Sequence, residues 1–425
     1  MTENLKISKN KLLFNSIPAI FYKDKYLLFS PFNSQLAVID RSSIENEENL
    51  KKELPDSFIE EPYSCPGSST DFFDITFVVT GDCNLRCKYC FAKGGEKKDT
   101  ISKNNIKTVL GKVKNMEINK IPSFNFFGGE PTIKLNIMKF TVNHVKEKFN
   151  SPFRFQVTTN GIFSEDVLNF LVENNFNITI SSDGPPNIQN FQRPLDNGGN
   201  SSDILERNIR GLLNEGISPM IRSTVTNYSV GKMSKIVKYF ADLGIDVIQF
   251  EPLSISGRVK DISESGIERP SADEFISNYK EALNEANKQD VEVNSTSHMN
   301  LLKPSNNFCD GIGGNRMVIN YDGSISKCLE IQNCDHPFAS DFIIGRIEDG
   351  EIKINNSRKR KIENDTILKK SKECSTCFAK YICAGGCPVR NKHRTGKKAK
   401  VDEYFCKINK NILSDIIVRM YKKQG

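Results

Sequence analysis

The stretch C-N-L-R-C-K-Y-C-F, residues 83–91, packs three cysteines, Cys83, Cys87 and Cys90, into eight positions. A closed structural metal site takes four protein ligands, so three thiolates suit a site that keeps one position open. None of the four histidines, His144, His298, His336 and His393, is paired with a cysteine at zinc-finger spacing. Immediately before the trio, Asp74–Val79 (DITFVV) reads as a strand. The cysteines therefore sit just past a strand's C-terminal end.

Outward from that point, short apolar runs alternate with amphipathic stretches over residues 72–255. Ser123–Phe127, Phe153–Thr158, Asn177–Ser181, Pro219–Val225 and Asp246–Phe250 read as further strands. Helical patterns at Ser102–Met116, Lys134–Phe149, 165–174, 202–215 and 231–243 separate them. Such alternation predicts an α/β fold with a parallel sheet covered by helices. Six units make a partial (β/α)6 version of the eight-unit TIM-like barrel, whose chemistry belongs on the loops at the strands' C-terminal ends. The polar signals fall there: FFGGEP at 126–131, TTNG at 158–161, SSDGP at 181–185, and FEPL at 250–253. Arg222, Ser223, Thr224 and Thr226 lie on or just after the fifth strand. One such loop is a common turn; five at the same end make a site.

With 425 residues, 38% hydrophobic and 26% charged, the chain is long enough for two or three domains and ordinary for a globular protein. No stretch approaches the roughly 20 apolar residues of a membrane span. The opening MTENLKISKNKLLFN has no charged stretch followed by an apolar one, so a cytoplasmic chain is expected. The net charge of +7 reads as spread along the chain, densest at SRKRK (357–361) and KHRTGKKAK (392–400). Those runs read first as solvated faces, with contact to an acidic peptide or nucleic acid as the alternative. Twelve cysteines in such a chain point to metal rather than disulfides. Thiolate-only ligation suits iron–sulfur clusters or four-cysteine zinc.

The Cys-x3-Cys-x2-Cys trio with Tyr89 before its last member, followed one β-α unit later by GGEP, resembles the radical S-adenosylmethionine (SAM) superfamily over about residues 70–255. The resemblance implies a 4Fe–4S cluster on Cys83, Cys87 and Cys90 whose open iron binds the amino and carboxylate groups of SAM. It implies reductive cleavage of SAM and hydrogen abstraction by the resulting 5′-deoxyadenosyl radical. It also implies that Gly128, Gly129 and Glu130 meet the SAM amine, and that Tyr89 and Leu253 contact adenine. Ser181 then lies near the ribose and carboxylate, and Arg193 pairs with the carboxylate.

Cys309 is separated by thirteen residues from Gly323, which precedes Cys328 by a four-residue gap; Cys374, Cys377, Cys383, Cys387 and Cys406 follow. This pattern is similar to the SPASM domain, a C-terminal extension of radical SAM enzymes that act on peptides and proteins. It implies two auxiliary 4Fe–4S clusters, three clusters in all. Cys374, Cys377, Cys383 and Cys406 would hold the outer one, and Cys309, Cys328 and Cys387 the inner one. Seven motif thiolates leave an eighth place, filled by Cys334 or left open to a substrate thiolate. Structural zinc is the alternative for the module, and Cys65 in PYSCPGSS reads as incidental.

The expected organisation is an N-terminal β-rich extension (1–70), the partial barrel (71–255), a helical linker (256–305) and the iron–sulfur domain (306–425). In the extension, KLLF, AIFYKD, KYLLFSP and QLAVID read as short strands, with turns at Lys23–Lys25 and Asn33–Ser34, and Ser43–Leu54 as a polar helix. It resembles a leader-peptide recognition element, to whose sheet edge a leader adds as a strand; a β-hairpin packed on the barrel is the plainer alternative.

The resulting expectation is a maturase of ribosomally made peptides, of thioether (sactipeptide or ranthipeptide) type. It would join a cysteine sulfur to carbon or form another intramolecular crosslink. Its partners would be a precursor peptide with its leader and an electron donor such as flavodoxin or ferredoxin, with neither nucleic acid nor membrane involved. An anaerobic sulfatase maturase forming formylglycine is the alternative. Those enzymes place an aspartate after the cysteine that here is Cys328, where this chain has Leu329 and Glu330. A non-catalytic metal-binding protein is the remote alternative. Glu330 and Glu251 are the candidates for proton transfer.

Overall fold

The computed structural model describes residues 11–13, 17–30, 34–40, 54, 72–114, 121–150, 152–259, 266–298, 300–302, 304–314, 316–365, 367–375 and 377–424. Most of the expected helix at Ser43–Leu54 and Cys65 lie outside these residues. The chain forms two compact units, one of residues 1–69, 295–309 and 365–425, the other of 70–294 and 310–364.

In the first unit, β1 (Lys11–Leu13), β2 (Ile17–Tyr22), β3 (Lys25–Ser30) and β4 (Gln35–Asp40) form an antiparallel sheet in sequence order. Tyr22 pairs with Lys25, leaving a two-residue hairpin loop. Lys23 and Asp24 both take positive φ, 46° and 62°, as a turn matched to strand twist requires. The sheet does not stand alone. Ile20, Tyr22, Leu27 and Phe29 share a core with Phe378, Ala379 and Ile382, and with Leu413, Ile417 and Val418 of the helix Glu403–Gln424.

In the second unit the expected strands appear as β5 (Phe72–Thr80), β6 (Ile121–Gly128), β7 (Arg154–Thr159), β8 (Asn177–Ser181), β9 (Met220–Val225) and β10 (Val247–Pro252). Each is parallel to the next. The core under the first strands is aromatic: Phe77, Phe124, Phe126, Phe155 and Phe176 are buried together. The α/β fold with its parallel-rich, TIM-like sheet is thus present.

The sheet is wider than the alternation indicates. β11 (Glu292–Asn294) adds a parallel strand beside β10. It lies in the stretch read as a helical linker, after a helix at Ala272–Gln289 that Ser271 and Glu274 start with a reciprocal capping box. On the other side β12 (Arg316–Ile319) runs parallel to β5, and β13 (Ser324–Ser326), β14 (Ile343–Glu348) and β15 (Glu351–Ile354) continue antiparallel, giving eleven strands. Residues 310–364 therefore belong with the barrel sheet, while 365–425 fold with the N-terminal strands. Among the described residues no helix is long and apolar enough to cross a membrane.

Candidate active site

The cysteine loop leaves β5 and is held by its backbone. Arg86 N–H donates to Pro194 O at 2.9 Å, Lys88 N–H to Gln192 O at 3.0 Å, and Asp196 N–H returns to Asn84 O at 3.0 Å. Arg258 grips the loop's far side, donating to Cys87 O at 3.1 Å and Gly94 O at 2.7 Å. Cys83 and Cys90 are half-buried and Cys87 is buried. N–H groups point at two of the sulfurs: Leu85 N–H at 3.4 Å and the Asn160 amide at 3.7 Å on Cys83, Gly94 N–H at 3.3 Å on Cys90. Burial pushes the Cys83 thiol up to about 12, with Glu130 and Cys87 adding to it. Burial likewise pushes Cys87 to about 11, against the pull of Arg193. Such thiols ionise when a metal takes the proton's place. Three cysteines on one short loop, two of them with N–H groups aimed at the sulfur, fit an iron–sulfur cluster with one iron free of protein ligands.

The GGE loop presses on this loop from β6. Gly129 N–H donates to Thr80 O and Glu130 N–H to Asp82 O, both at 2.8 Å. A Cβ on Gly129 would lie 2.2 Å from Asp82 O, and one on Gly128, whose φ is +140°, 2.4 Å from Thr80 O. Only glycine allows that approach. Glu130 turns inward and is fully buried. Its Oε1 accepts from Thr132 N–H at 3.1 Å, Thr132 Oγ1 at 2.6 Å and Thr159 Oγ1 at 2.8 Å. Its Oε2 accepts from Asn160 N–H at 2.6 Å. Burial raises its pKa, and those hydrogen bonds oppose the rise. The carboxylate thus ties the ends of β6 and β7 together.

At the ends of β8 and β9 stands a buried network of which the sequence shows only a part. Asp183, fully buried, accepts from the Tyr89 hydroxyl, from the Gln192 amide at 2.6 Å and from Thr224 N–H at 3.0 Å. Arg193 donates to the Tyr89 oxygen at 2.8 Å, while its Nε is buried without a partner. Burial raises Asp183, and the Arg193 charge and these donors hold it down. Gln192 accepts from the Thr226 hydroxyl. Gln189 fixes Asp183 N–H at 3.0 Å and donates to Ser201 Oγ at 3.1 Å. No periodic signal marks Gln189, Gln192 or Arg258; DG inside SSDGP was the visible part of the network.

Of the other candidates, Leu253 is buried against Tyr89, Val259 and Ile267. Ser181 ends β8, half-buried and opposite Arg222. Glu251 is buried on β10 and accepts from Gln249 at 3.2 Å. Glu330 is half-buried two residues past Cys328. Cys334 is exposed; its N–H donates to Asp322 at 2.8 Å and its sulfur accepts from Arg346 at 3.4 Å.

The first unit gathers a second thiol cluster. Burial, then the neighbouring Cys377, Cys406 and Cys374, push Cys383 up to about 12. Cys406 is likewise raised by burial, with Cys377 and Cys374 adding to it. Asn409, itself buried, donates to Cys383 Sγ at 3.1 Å. Cys309 and Cys387 are half-buried in this unit, with Cys387 preceding the helix Pro388–Thr395.

Residues 77–233 match the Radical SAM superfamily. The cysteine-type anaerobic sulfatase-maturating enzyme of Clostridium novyi is 26% identical over 366 residues, 80% of this chain and 94% of the relative. The structure of native anSMEcpe with bound AdoMet and Cp18Cys peptide is 22% identical and covers 83% of this chain and 99% of that one, with a TM-score of 0.65. SuiB of Streptococcus suis bound to precursor peptide SuiA is 14% identical and covers 93% and 99%, with a TM-score of 0.58. The family match begins on β5 and runs through the cysteine loop, the GGE loop and the Asp183 network, so this part of the chain carries a Radical SAM domain.

Proposed function

We propose that the protein is a peptide maturase that joins a cysteine sulfur to carbon, or forms another intramolecular crosslink, within a precursor peptide. Cys83, Cys87 and Cys90 would hold the SAM-binding cluster, which supplies reductive cleavage of SAM. Cys374, Cys377, Cys383 and Cys406 would hold an auxiliary cluster. The Cys309, Cys328 and Cys387 assignment rests on the sequence pattern, as does the question of Cys334.

The chain's own residues hold and orient. Tyr89 is pinned by Asp183 below and Arg193 beside it. The unpartnered, buried Arg193 Nε suits a carboxylate such as that of SAM. Gly128 and Gly129 offer backbone at the strand ends, and Glu130 fixes the loop that carries them. Leu253 offers an apolar wall beside the Tyr89 ring. For a thioether, the acceptor C–H would give a hydrogen atom to the 5′-deoxyadenosyl radical and the cysteine S–H a proton to a base, and the one electron released as the S–C bond closes would go to the auxiliary cluster that Cys374, Cys377, Cys383 and Cys406 would hold. Buried Glu251 and half-buried Glu330 are the carboxylates available for the proton.

The observation that carries this reading is the N-terminal sheet. The fold of precursor-peptide-bound SuiB covers 93% of this chain, that of anSMEcpe 83%, and this chain has a four-stranded sheet at Lys11–Asp40. That sheet suits leader binding at its edge. Formylglycine formation is the second reading, favoured by the curated Clostridium novyi relative.

The test is anaerobic turnover of cysteine-containing peptides by the iron-loaded protein with SAM and a reductant. Release of 5′-deoxyadenosine with a peptide product two hydrogens lighter and its sulfur retained supports the maturase. Loss of the sulfur selects formylglycine. Deoxyadenosine formation that survives Cys83→Ala/Cys87→Ala/Cys90→Ala would sink both.

A further inference from the structure

The positive charge is not spread evenly. Residues 365–425 hold fifteen Lys and Arg against five Asp and Glu, a net +10, so the other 364 residues carry −3 of the chain's +7. An even distribution, as the composition first suggests, is therefore corrected: the excess lies in one segment, and that segment carries four clustered cysteines.

Of its five acids, Glu373 and Glu403 are exposed beside the cysteines, and the other three offset little of the excess. Asp365 is paired with Lys370 and Asp415 with Arg419 at 2.5 Å, and Asp402 is buried. The cations bracket the thiols on both sides. Val401 packs on the apolar cluster of Ile367, Leu368 and Cys374. Leading into it, Arg394, Lys397 and Lys400 are exposed. Past Cys406, Lys407 and Lys410 are exposed on the helix Glu403–Gln424. Lys410 hydrogen-bonds Cys406 and feels Cys377 and Cys374 as well. Lys398 stands close enough to Lys392 and to Lys370 for their charges to oppose, with Asp365 offsetting part of it. Like charges crowded on one face are costly without a counter-charge, and they steer anionic partners toward that face.

We propose that this lysine-rich face around Cys374, Cys377, Cys383 and Cys406 docks an acidic one-electron carrier protein. It passes a single electron between its cofactor and the cluster those cysteines hold. The proposal rests on the auxiliary-cluster reading above. With a flavin carrier, the anionic hydroquinone becomes the neutral semiquinone, the oxidised 4Fe–4S cluster becomes its one-electron-reduced form, and no bond breaks. A redox centre ringed by cations has a use for an acidic redox partner that a nucleic acid does not supply, and complementary charge acts mainly on the encounter rate.

The test uses iron-loaded full-length protein and its Arg394→Glu/Lys397→Glu/Lys400→Glu variant, none of the three a ligand. Stopped-flow mixing with an acidic flavodoxin hydroquinone, read by rapid-freeze EPR of the cluster, gives the second-order rate. Reduced methyl viologen, a small cation, is the control. The variant should lose about tenfold or more in the flavodoxin rate and nothing in the viologen rate, and the wild-type flavodoxin rate should fall as salt rises. An unchanged flavodoxin rate overturns the docking face. So does a variant that keeps that rate but loses tight binding of a single-stranded oligonucleotide, which would make the face a nucleic-acid surface. Equal iron in Cys374→Ala/Cys377→Ala and wild-type protein removes the cluster reading itself, and the proposal with it.

Discussion

Asp183 faces no solvent, yet it takes three hydrogen bonds, and through one of them it fixes the hydroxyl that Arg193 also grips. In Asp183→Asn one acceptor becomes a donor facing the Tyr89 hydroxyl and the Gln192 amide. Gln192 has no easy answer, since its oxygen is already used by Thr226. A buried polar mismatch costs about 1–3 kcal/mol. Tyr89 and Arg193 should shift, and SAM affinity of the iron-loaded variant should fall about tenfold or more, with iron content unchanged. Isothermal titration with SAM reads this directly; an unaltered Kd would mean that Asp183 only fills space. Glu130 makes a different case. Burial raises its carboxyl above the ordinary 4.5. The folded chain therefore keeps that proton to higher pH than the unfolded chain. Where the unfolded state binds fewer protons, stability falls as pH rises. Glu130→Gln should cost about 1–3 kcal/mol, since one of four donors loses its acceptor. It should also flatten the decline in denaturation free energy from pH 4.5 upward. A variant with the wild-type slope would show that Glu130 is not the group responsible.

Each element of the site is a strand end plus the loop that the next strand end holds still. Gly129→Ala tests that principle. Its Cβ would stand 2.2 Å from Asp82 O and 2.7 Å from Gly81 O, both backbone atoms with nowhere to go. The cysteine loop must move, so the reconstituted variant should lose the SAM-binding cluster's iron while its far-UV circular dichroism stays near wild type. Full iron loading would refute the close-packed loop pair. The strands themselves were legible because alternation of apolar and polar residues is a local signal, and β5 to β10 lie where it put them, within two residues at each end. The short strands were not. β11 is three residues with one buried side chain, Val293, and β13 is Ser-Ile-Ser, which carries no pattern to read. They exist because a long sheet edge offers unpaired N–H and C=O groups. The cysteine trio and GGE were legible because metal ligation and close backbone approach restrict residue type at fixed spacing. Gln192 and Arg258 were not, because any polar residue reads as surface until the fold brings it beside a carbonyl or a carboxylate.

At the scale of the whole chain, the ends fold together. The N-terminal strands and residues 365–425 form one unit, though more than three hundred residues separate them in sequence. That kind of pairing leaves no local trace, and it changes how the leader-binding idea has to be tested. The N-terminal sheet is not a detachable module, because Leu27 and Phe29, both fully buried, pack in the same core as Ile382, Leu413 and Ile417. Ile382 directly precedes Cys383, and Leu413 lies one helical turn past Asn409, whose amide holds the Cys383 sulfur. Deleting the sheet would therefore damage the four-cysteine site as well as any peptide contact, and lost turnover would have two explanations. Leu27→Ala separates them. It leaves the β4 edge intact and should cost about 2–5 kcal/mol as a buried cavity, with a lower Tm and earlier loss, on warming, of the iron proposed for the four-cysteine site, while peptide affinity at low temperature holds. A Leu27→Ala protein with wild-type Tm and wild-type iron retention would mean that sheet and helix do not share a core, and the truncation would then be a clean test after all.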